Sequence, residues 1–404
     1  MDGGNAVIIV RPGDPRWKEA FDKLPYERQD IGWHPVYADI MAKYFHKGEA
    51  SCAIEEWPNN LMMYPFVKTE GTMQTTGGRT TAYRSIRSIY GVGGLNAVHL
   101  PSPSQLNEFH FRLADWCRER AQDISSNLTV CHPVINNVDW EKGESRISSI
   151  GETVIVDLTP PFDTIEHGFK YSTRKHIKKA YRSGVSVGPP FNPTLDIDSL
   201  DHFLTIYRAT LDRNNADPRY YLEYAFFLEC ATRLQDHCRF FYALKHDDAY
   251  MKGVDICISV SCEMVLFCGR FIHSFLGGTT DESLRLCANH LLKREIIWWA
   301  KDRGYQKFIL GGGKTPNDDI FTYKRGFAPN GCVKSYIAQT DFGTPVWKDM
   351  QLLDDWNAAD PSTSTRLREV CMKCYKLVPL EQVCRTHGFC FSCCVGKHEM
   401  EGTI

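Results

Sequence analysis

The stretch TVIVDLTPPFDTIEHGFKYSTRKHIKKAYRSGVSV, residues 153–187, passes from strand to helix and back to strand. Its first six residues read as an apolar strand. The prolines of the turn at 159–161 end that strand, because they offer no N–H to a ladder. From 172 to 183 the spacing predicts a helix, with Ser172 or Thr173 as N-cap and Gly184 as the C-terminal stop. Residues 171–184 carry five Lys or Arg and one His. At about 100° per residue, Arg174, Lys178 and Arg182 form one ridge, Lys175 and Lys179 lie beside it, and Ile177, Ala180 and Tyr181 fall opposite. The helix therefore packs by one stripe and offers a basic arc of about 140°. No acidic residue sits at i±3 or i±4 within it. A solvated face and a phosphate-facing surface both fit that spacing.

This charge is local. The formal net charge is −2 over 404 residues, so the chain is no general coat for nucleic acid. With 43% hydrophobic and 24% charged residues the composition is globular, which excludes an intrinsically disordered chain. The start, MDGGNAVIIVRPGDPRW, fits neither a signal nor a transit peptide. No segment approaches the roughly 18 consecutive apolar residues of a membrane span. These features predict a cytoplasmic protein without a membrane segment.

Upstream of residue 153 the pattern is α/β. AVIIVR, SCAIEEW and NLMMYPFVK read as strands, DPRWKEAFDKL and WHPVYADIMAKYF as helices. AYRSIRSIYGVGGLNAVHLPSPS, rich in Gly and Ser, reads as irregular, and SQLNEFHFRLADWCRERAQD as a helix before the strand LTVCHPVI. Downstream the pattern restarts. Helices DSLDHFLTIYRATLDRNN and RYYLEYAFFLECATRLQ precede strands RFFYALKH, KGVDICISVSC, EMVLFCGRF and IHSFLGGT. The helix LCANHLLKREIIWWAKDRG and strands KFILGGG and CVKSYIAQT follow. The expected architecture is two α/β units with mixed, mostly antiparallel sheets flanked by helices. We place them at 1–158 and 159–345, with a helix and linker at 346–366 and a Cys-rich tail at 367–404. No repeat is visible residue by residue.

The opening stretch resembles the junction segment of the Fem family, in which a strand ending in "DL" precedes an Arg/Lys-rich helix, then "GV" and a strand. Agreement continues through FLTIYRATLDRNNADPRYYLEYAFFL and FLGGTTDESLRLCANHLLKREIIWWAKDRGYQKFILGGG to IFTYKRGFAPNG, and more weakly through WHPVYADIMAKYF, MMYPFVK and IYGVGGL upstream. It covers about residues 15–340. The resemblance implies two acetyltransferase-like (GNAT) domains and transfer of an aminoacyl group from aminoacyl-tRNA to an amine on a peptidoglycan precursor, small peptide or natural product. It assigns Tyr323 and Lys324 of "TYKRGF" to the channel reached by the aminoacyl end. It assigns Arg213 to the phosphates of the acceptor, with Arg174, Lys178 and Lys179 extending that basic surface. An amine attacking an ester builds an oxyanion that a buried ammonium can stabilise, so the chemistry needs no metal or covalent intermediate. Asp318 and Asp319 are near enough to serve as a base, though a helix N-terminus accounts for them equally well. His273, between apolar neighbours on a strand, reads as structural.

Two rival readings stay open. One is an acyl-CoA-dependent N-acyltransferase of the same superfamily. The pyrophosphate loop of such enzymes is missing from GGTTDESLRLCANHLL, where it belongs, which disfavours that donor. The other is a non-catalytic module that binds RNA or protein. LGGGKT, residues 310–315, is no P-loop, since Phe308 stands where the motif needs a glycine and Pro316 follows at once. Gly311, Gly312 and Gly313 instead predict a tight turn ending a strand beneath the substrate channel.

Of 16 cysteines, ten lie between Cys52 and Cys332, where they read as small buried hydrophobes. The other six crowd into 371–394. Cys371-x2-Cys374 and Cys390-x2-Cys393, fifteen residues apart, have zinc-site spacing, with Cys384, His387, Cys394 and His398 as spare donors. A zinc ion held by four thiolates would be structural, since no position stays open.

Overall fold

Proline at the first turn and capping side chains set the helix starts of the first half. In the computed structural model a short strand β1 (Ile8–Val10) leads to helices α1 (Pro15–Lys23) and α2 (Pro35–Met41), each opening on a proline whose missing N–H costs nothing there. Strands β2 (Glu49–Trp57), β3 (Asn60–Gln74), β4 (Thr80–Arg87) and β5 (Asn96–Ala97) follow. Helix α3 (Pro103–Asp115) starts with a reciprocal Ser102–Gln105 capping box, and strands β6 (Ile124–Val130) and β7 (Arg146–Asp157) complete the half. The structure describes residues 6–74, 80–120, 124–141, 145–190, 197–246, 257–315 and 317–342, with the backbone of 383–384 and 389–390.

The second half opens with α4 (Phe162–Gly168), α5 (Tyr171–Arg182) and β8 (Val185–Val187). It continues through α6 (Ile197–Arg213), α7 (Tyr224–Arg233), β9 (Cys238–His246), β10 (Cys257–Cys268), β11 (Phe271–Thr279), α8 (Ala288–Asp302), β12 (Lys307–Gly311), α9 (Asp319–Arg325) and β13 (Cys332–Asp341). In the tail β14 (Val383–Cys384) pairs antiparallel with β15 (Phe389–Cys390). Among the described residues no helix is long and apolar enough to cross a membrane.

One sheet runs through both halves in the order β1-β2-β3-β4-β6-β13-β7-β12-β11-β10-β9-β8, with β5 paired to β3. The order is close to a palindrome. A parallel pair joined by a helix occurs in each half, β4–α3–β6 and β11–α8–β12, while the other ladders are antiparallel. The last strands are exchanged. β7 closes the first half yet pairs with β12, β13 closes the second yet pairs with β6, and the two pair with each other at the centre. A repeat invisible in the residues is therefore present in the topology, and the sheet is mixed and mostly antiparallel as expected.

The sheet separates two layers. On β10, Cys262, Met264 and Leu266 point to the face that carries α6 and α7, whereas Val265 and Phe267 point to the face that carries α5 and α8. The first layer is one core shared by the halves. Trp17, Trp33 and Met41 join Phe203, Phe226 and Phe227 in it, and Phe226 meets the rings of Tyr44 and Phe45 at 5.4 and 5.7 Å. A polar pin crosses the same boundary. Buried Asp30 accepts from His132 Nε2 at 2.8 Å and from His273 Nε2 on β11 at 2.8 Å. His273 is thus a bonded structural group.

Several local expectations change. The basic helix begins at Tyr171 with Lys170 as N-cap and no side-chain capping bond, so neither Ser172 nor Thr173 caps it. Thr173 is instead buried with Ile177 and Ala180, because α9 ends against it, and Tyr181 is exposed with its hydroxyl on Glu295. Gly184, at φ 73°, is the stop. Thr80–Arg87 is a strand, where the polar Arg and Ser positions hid the alternation. The two strands expected around Cys262 are one, β10, whose register shifts at two bulges. Cys52, Cys117, Cys131, Cys230, Cys238, Cys262 and Cys268 are buried free thiols, as the apolar runs around them implied, whereas Cys287 and Cys332 are only partly buried.

Candidate active site

The parallel ladder between β11 and β12 holds for three pairs, from Phe271–Lys307 to His273–Ile309, and the strands then part. Polar groups gather where they separate. On one arm Glu263 of β10 accepts from Ser274 Oγ at 2.7 Å and from Lys293 of α8, whose Nζ also donates to Ser274 Oγ at 2.8 Å. Lys293 is 3% exposed and Glu263 8%, so neither charge could be tolerated there without the other. On the other arm β12 ends at Gly311, and Lys324 of α9 donates its Nζ to the Gly312 carbonyl at 2.6 Å.

The turn after β12 is held from below by Asp318. Its carboxylate caps α9 through Phe321 N at 2.7 Å and accepts from the amides of Lys314 at 2.6 Å and Thr315 at 3.1 Å. Partial burial would raise this carboxyl, but those three amides hold it below its ordinary range. Asp318 is therefore a cap and a loop anchor. Gly311 takes φ 79°, and a Cβ on Gly313 would lie 2.2 Å from Asp318 Oδ1, so both positions require glycine.

Lys324 is half-buried. Desolvation, helped by neighbouring Lys293, lowers its ammonium to a pKa of about 8 against the pull of Glu263 and Asp318. It is thus an ammonium at neutral pH that gives up its proton easily. Tyr323 projects into the same layer, donating its hydroxyl to the Asn289 carbonyl of α8 at 3.0 Å and packing its ring on Phe327. Burial pushes its phenol well above the usual range.

The remaining residues singled out in the sequence lie on two helices. Arg213, at the end of α6, donates to the Thr279 carbonyl at 3.0 Å and pairs with Asp281; the buried stripe of α6 packs on the face opposite α5 and α8. Arg174 turns back to the His167 carbonyl, and Lys178 and Lys179 are exposed. The structure thus brings Tyr323, Lys324 and the start of α5 together, the last through Lys170 N donating to Gly326 O at 2.8 Å. Arg213 ends a helix that packs on the other face of the sheet, and its partner Asp281 lies in the turn that leads into α8. Cys371, Cys374 and Cys393 lie outside the described residues, and of Cys390 only its backbone in β15 is described.

Sequence reasoning missed Glu263, Ser274 and Lys293. A signal was available, since an isolated Glu in the apolar run "SCEMVLF" has to find a cation if that run is a buried strand. It also missed a cleft of about 330 Å3 beside the equivalent parallel pair of the first half, lined by Phe45, Arg87, Tyr90, Val130 and, across the boundary, Pro218 and Arg219.

Each half of the sheet holds one helix-joined parallel pair, and residues 171–325, in the second half, match the family described as the GNAT acetyltransferase domain. The fold is Fem-like. The chain superposes on the crystal structure of FemX with a TM-score of 0.60 at 12% identity, covering 82% of this chain and 96% of FemX. A conserved protein of unknown function from Bacteroides thetaiotaomicron gives a TM-score of 0.51 at 9% identity, covering 84% of this chain and 100% of that one. No curated protein sequence matches the chain.

Proposed function

We propose that this GNAT-fold acyltransferase forms an amide by moving an aminoacyl group from aminoacyl-tRNA to an amine acceptor. The observation that carries the reading is the half-buried Lys324 ammonium, set where β11 and β12 part and bonded to the Gly312 carbonyl. In the reaction a neutral amine attacks the ester carbonyl. A C–N bond forms, and the tetrahedral oxygen takes a hydrogen bond from one of the two Nζ protons that Gly312 leaves free. As the C–O bond to the ribose breaks, the amine's proton passes to the departing hydroxyl. The Glu263–Ser274–Lys293 network fixes the adjoining arm. Gly311, Gly312 and Gly313 would line the approach of the acyl end.

For the acceptor we propose the cleft of the first half. Its Arg87 and Arg219, the latter already paired with Asp217 of the same wall at 3.1 Å, would meet phosphate, and Phe45 and Tyr90, whose rings stack at 4.0 Å, suit a flat group. A phosphorylated peptide or peptidoglycan precursor has both features. Lys178 and Lys179 would contact the tRNA backbone from the other layer, with Arg213 serving the acceptor side. The Cys371, Cys374, Cys390 and Cys393 set carries a separate proposal, a structural zinc. It is checked by whether zinc bound to the full chain falls when Cys371 and Cys374 are changed to Ser.

The test is direct. The protein is incubated with total charged tRNA and candidate amines, and amide products are sought by mass spectrometry. Product that disappears on RNase treatment supports the tRNA donor. Product that survives RNase and requires acyl-CoA assigns the donor to the second reading, which the match to an acetyltransferase domain favours. Turnover unchanged in both Lys324→Ala and Arg213→Ala would reject the site.

A further inference from the structure

Three metal-ligating side chains converge beside Tyr323, and the acyl-transfer chemistry leaves them unused. His176 on the exposed side of α5 faces Cys287 and His290 at the start of α8, and one donor atom from each lies within 4.8 Å of the other two. His176 Nδ1 and His290 Nε2 are 3.2 Å apart. With Zn–N bonds of about 2.0–2.1 Å, a tetrahedral shell sets its nitrogens about 3.3 Å apart. A Zn–S bond of about 2.3 Å would put the sulfur about 3.6 Å from each nitrogen, so the Cys287 thiol stands at most about 1.2 Å outside that shell.

The second nitrogen of His290 fixes the tautomer. Nδ1 lies 3.0 Å from Asn289 Oδ1 and donates to it, which leaves the Nε2 lone pair aimed at His176. Metal-bound histidines are commonly oriented by such an acceptor. Asn289 is itself held, because its carbonyl accepts from Tyr323 OH, and the His290 ring packs edge-on against Tyr323 at 4.9 Å. The cluster joins two elements 111 residues apart in the chain, since Cys287 is 111 positions beyond His176. Cys287-x2-His290 places its two donors on one turn, and the exposed His176 closes over them.

We propose that His176, Cys287 and His290 form a binding site for one zinc ion, with a fourth position left open to water or a ligand. Two imidazoles and one thiolate suit zinc, and three protein ligands are the complement of an open shell. Bound zinc would tie α5 to the start of α8 and hold Asn289 and Tyr323 in place. The alternative is a plain hydrogen bond between two histidines beside a thiol that donates only to the Arg285 carbonyl among the described residues.

The full-length chain, stripped with a chelator, is titrated with Zn2+ alone and with Co2+ alone. Zinc per chain is read by elemental mass spectrometry, and cobalt–thiolate bonding by its near-ultraviolet charge-transfer absorption. His176→Ala, Cys287→Ser and His290→Ala are measured alongside, with circular dichroism to check folding. His176 is exposed, so His176→Ala keeps the decision open if the other variants fold poorly. We expect wild type to bind one more zinc per chain than each variant, or at least tenfold more tightly, and Cys287→Ser to lose part of the cobalt–thiolate band. Comparison between chains that all carry the tail cysteines cancels whatever metal the tail takes. No zinc on wild type, or equal zinc and equal affinity in wild type and a folded His176→Ala, overturns the site.

Discussion

Two lysines on neighbouring helices illustrate how burial divides the roles of like residues. Lys293 is enclosed and bonded to Glu263 and Ser274, whereas Lys324 is half-buried and, among the described residues, bonds only a backbone carbonyl. Glu263→Gln removes the partner of a buried ammonium and should destabilise the protein by about 3–5 kcal/mol in urea unfolding. Adding Lys293→Met should return much of that loss, because the uncompensated charge is then gone as well. Lys324 makes a kinetic prediction. In the proposed role its acid form is the oxyanion donor, so kcat/KM for amide formation should fall as pH rises through about 8. Lys324→Arg keeps the charge at any such pH and should remove that alkaline limb, whatever it costs in rate. An alkaline limb that persists unchanged in Lys324→Arg would assign the titration to another group.

At the scale of elements, α9 and the turn after β12 are one unit, because a single carboxylate serves both. Asp318→Ala uncaps α9 and frees the Lys314 and Thr315 amides, with an expected cost of about 1–2 kcal/mol in thermal or urea unfolding. Gly313→Ala presses a methyl group onto that carboxylate and should reproduce the effect. The double variant should then cost clearly less than the sum of the two, since both changes break the same contact. Full additivity would show that turn and helix cap act independently. The position of the Lys324 ammonium depends on this unit, as its hydrogen bond reaches the Gly312 carbonyl within the turn.

For the whole molecule the exchanged strands and the shared core predict that neither half folds without the other. β13 fills the gap between β6 and β7, so removing it exposes a strand edge on each side. Unfolding followed by far-ultraviolet and near-ultraviolet circular dichroism should give one coincident transition, and two separated transitions would refute the coupling. Asp30 is the polar part of that coupling. Burial alone would raise its carboxyl, but His273 and His132 outweigh it and hold the group below its ordinary 3.8. A carboxyl lowered by folding contributes its full stability above the unfolded value and loses it as pH falls below. Asp30→Asn should therefore cost about 3 kcal/mol near neutrality and flatten the acid limb of the stability curve between about pH 4 and 2.

Local chemistry made much of this protein legible in its sequence. Strand and helix periods and the stop at Gly184 follow from backbone sterics and side-chain spacing within a few residues, and motif order carried the resemblance to Fem enzymes. Three things required the tertiary structure. β4 was hidden because its Arg and Ser positions blur an alternation that only its place between β3 and β6 explains. The Glu263–Lys293 pair joins a strand to a helix across the sheet face, a contact that spacing along the chain does not encode. The placement of α6, which ends in Arg213, opposite the basic helix comes from which face of β10 each helix covers. A helix period fixes which side chains share a stripe, and packing alone fixes what that stripe meets.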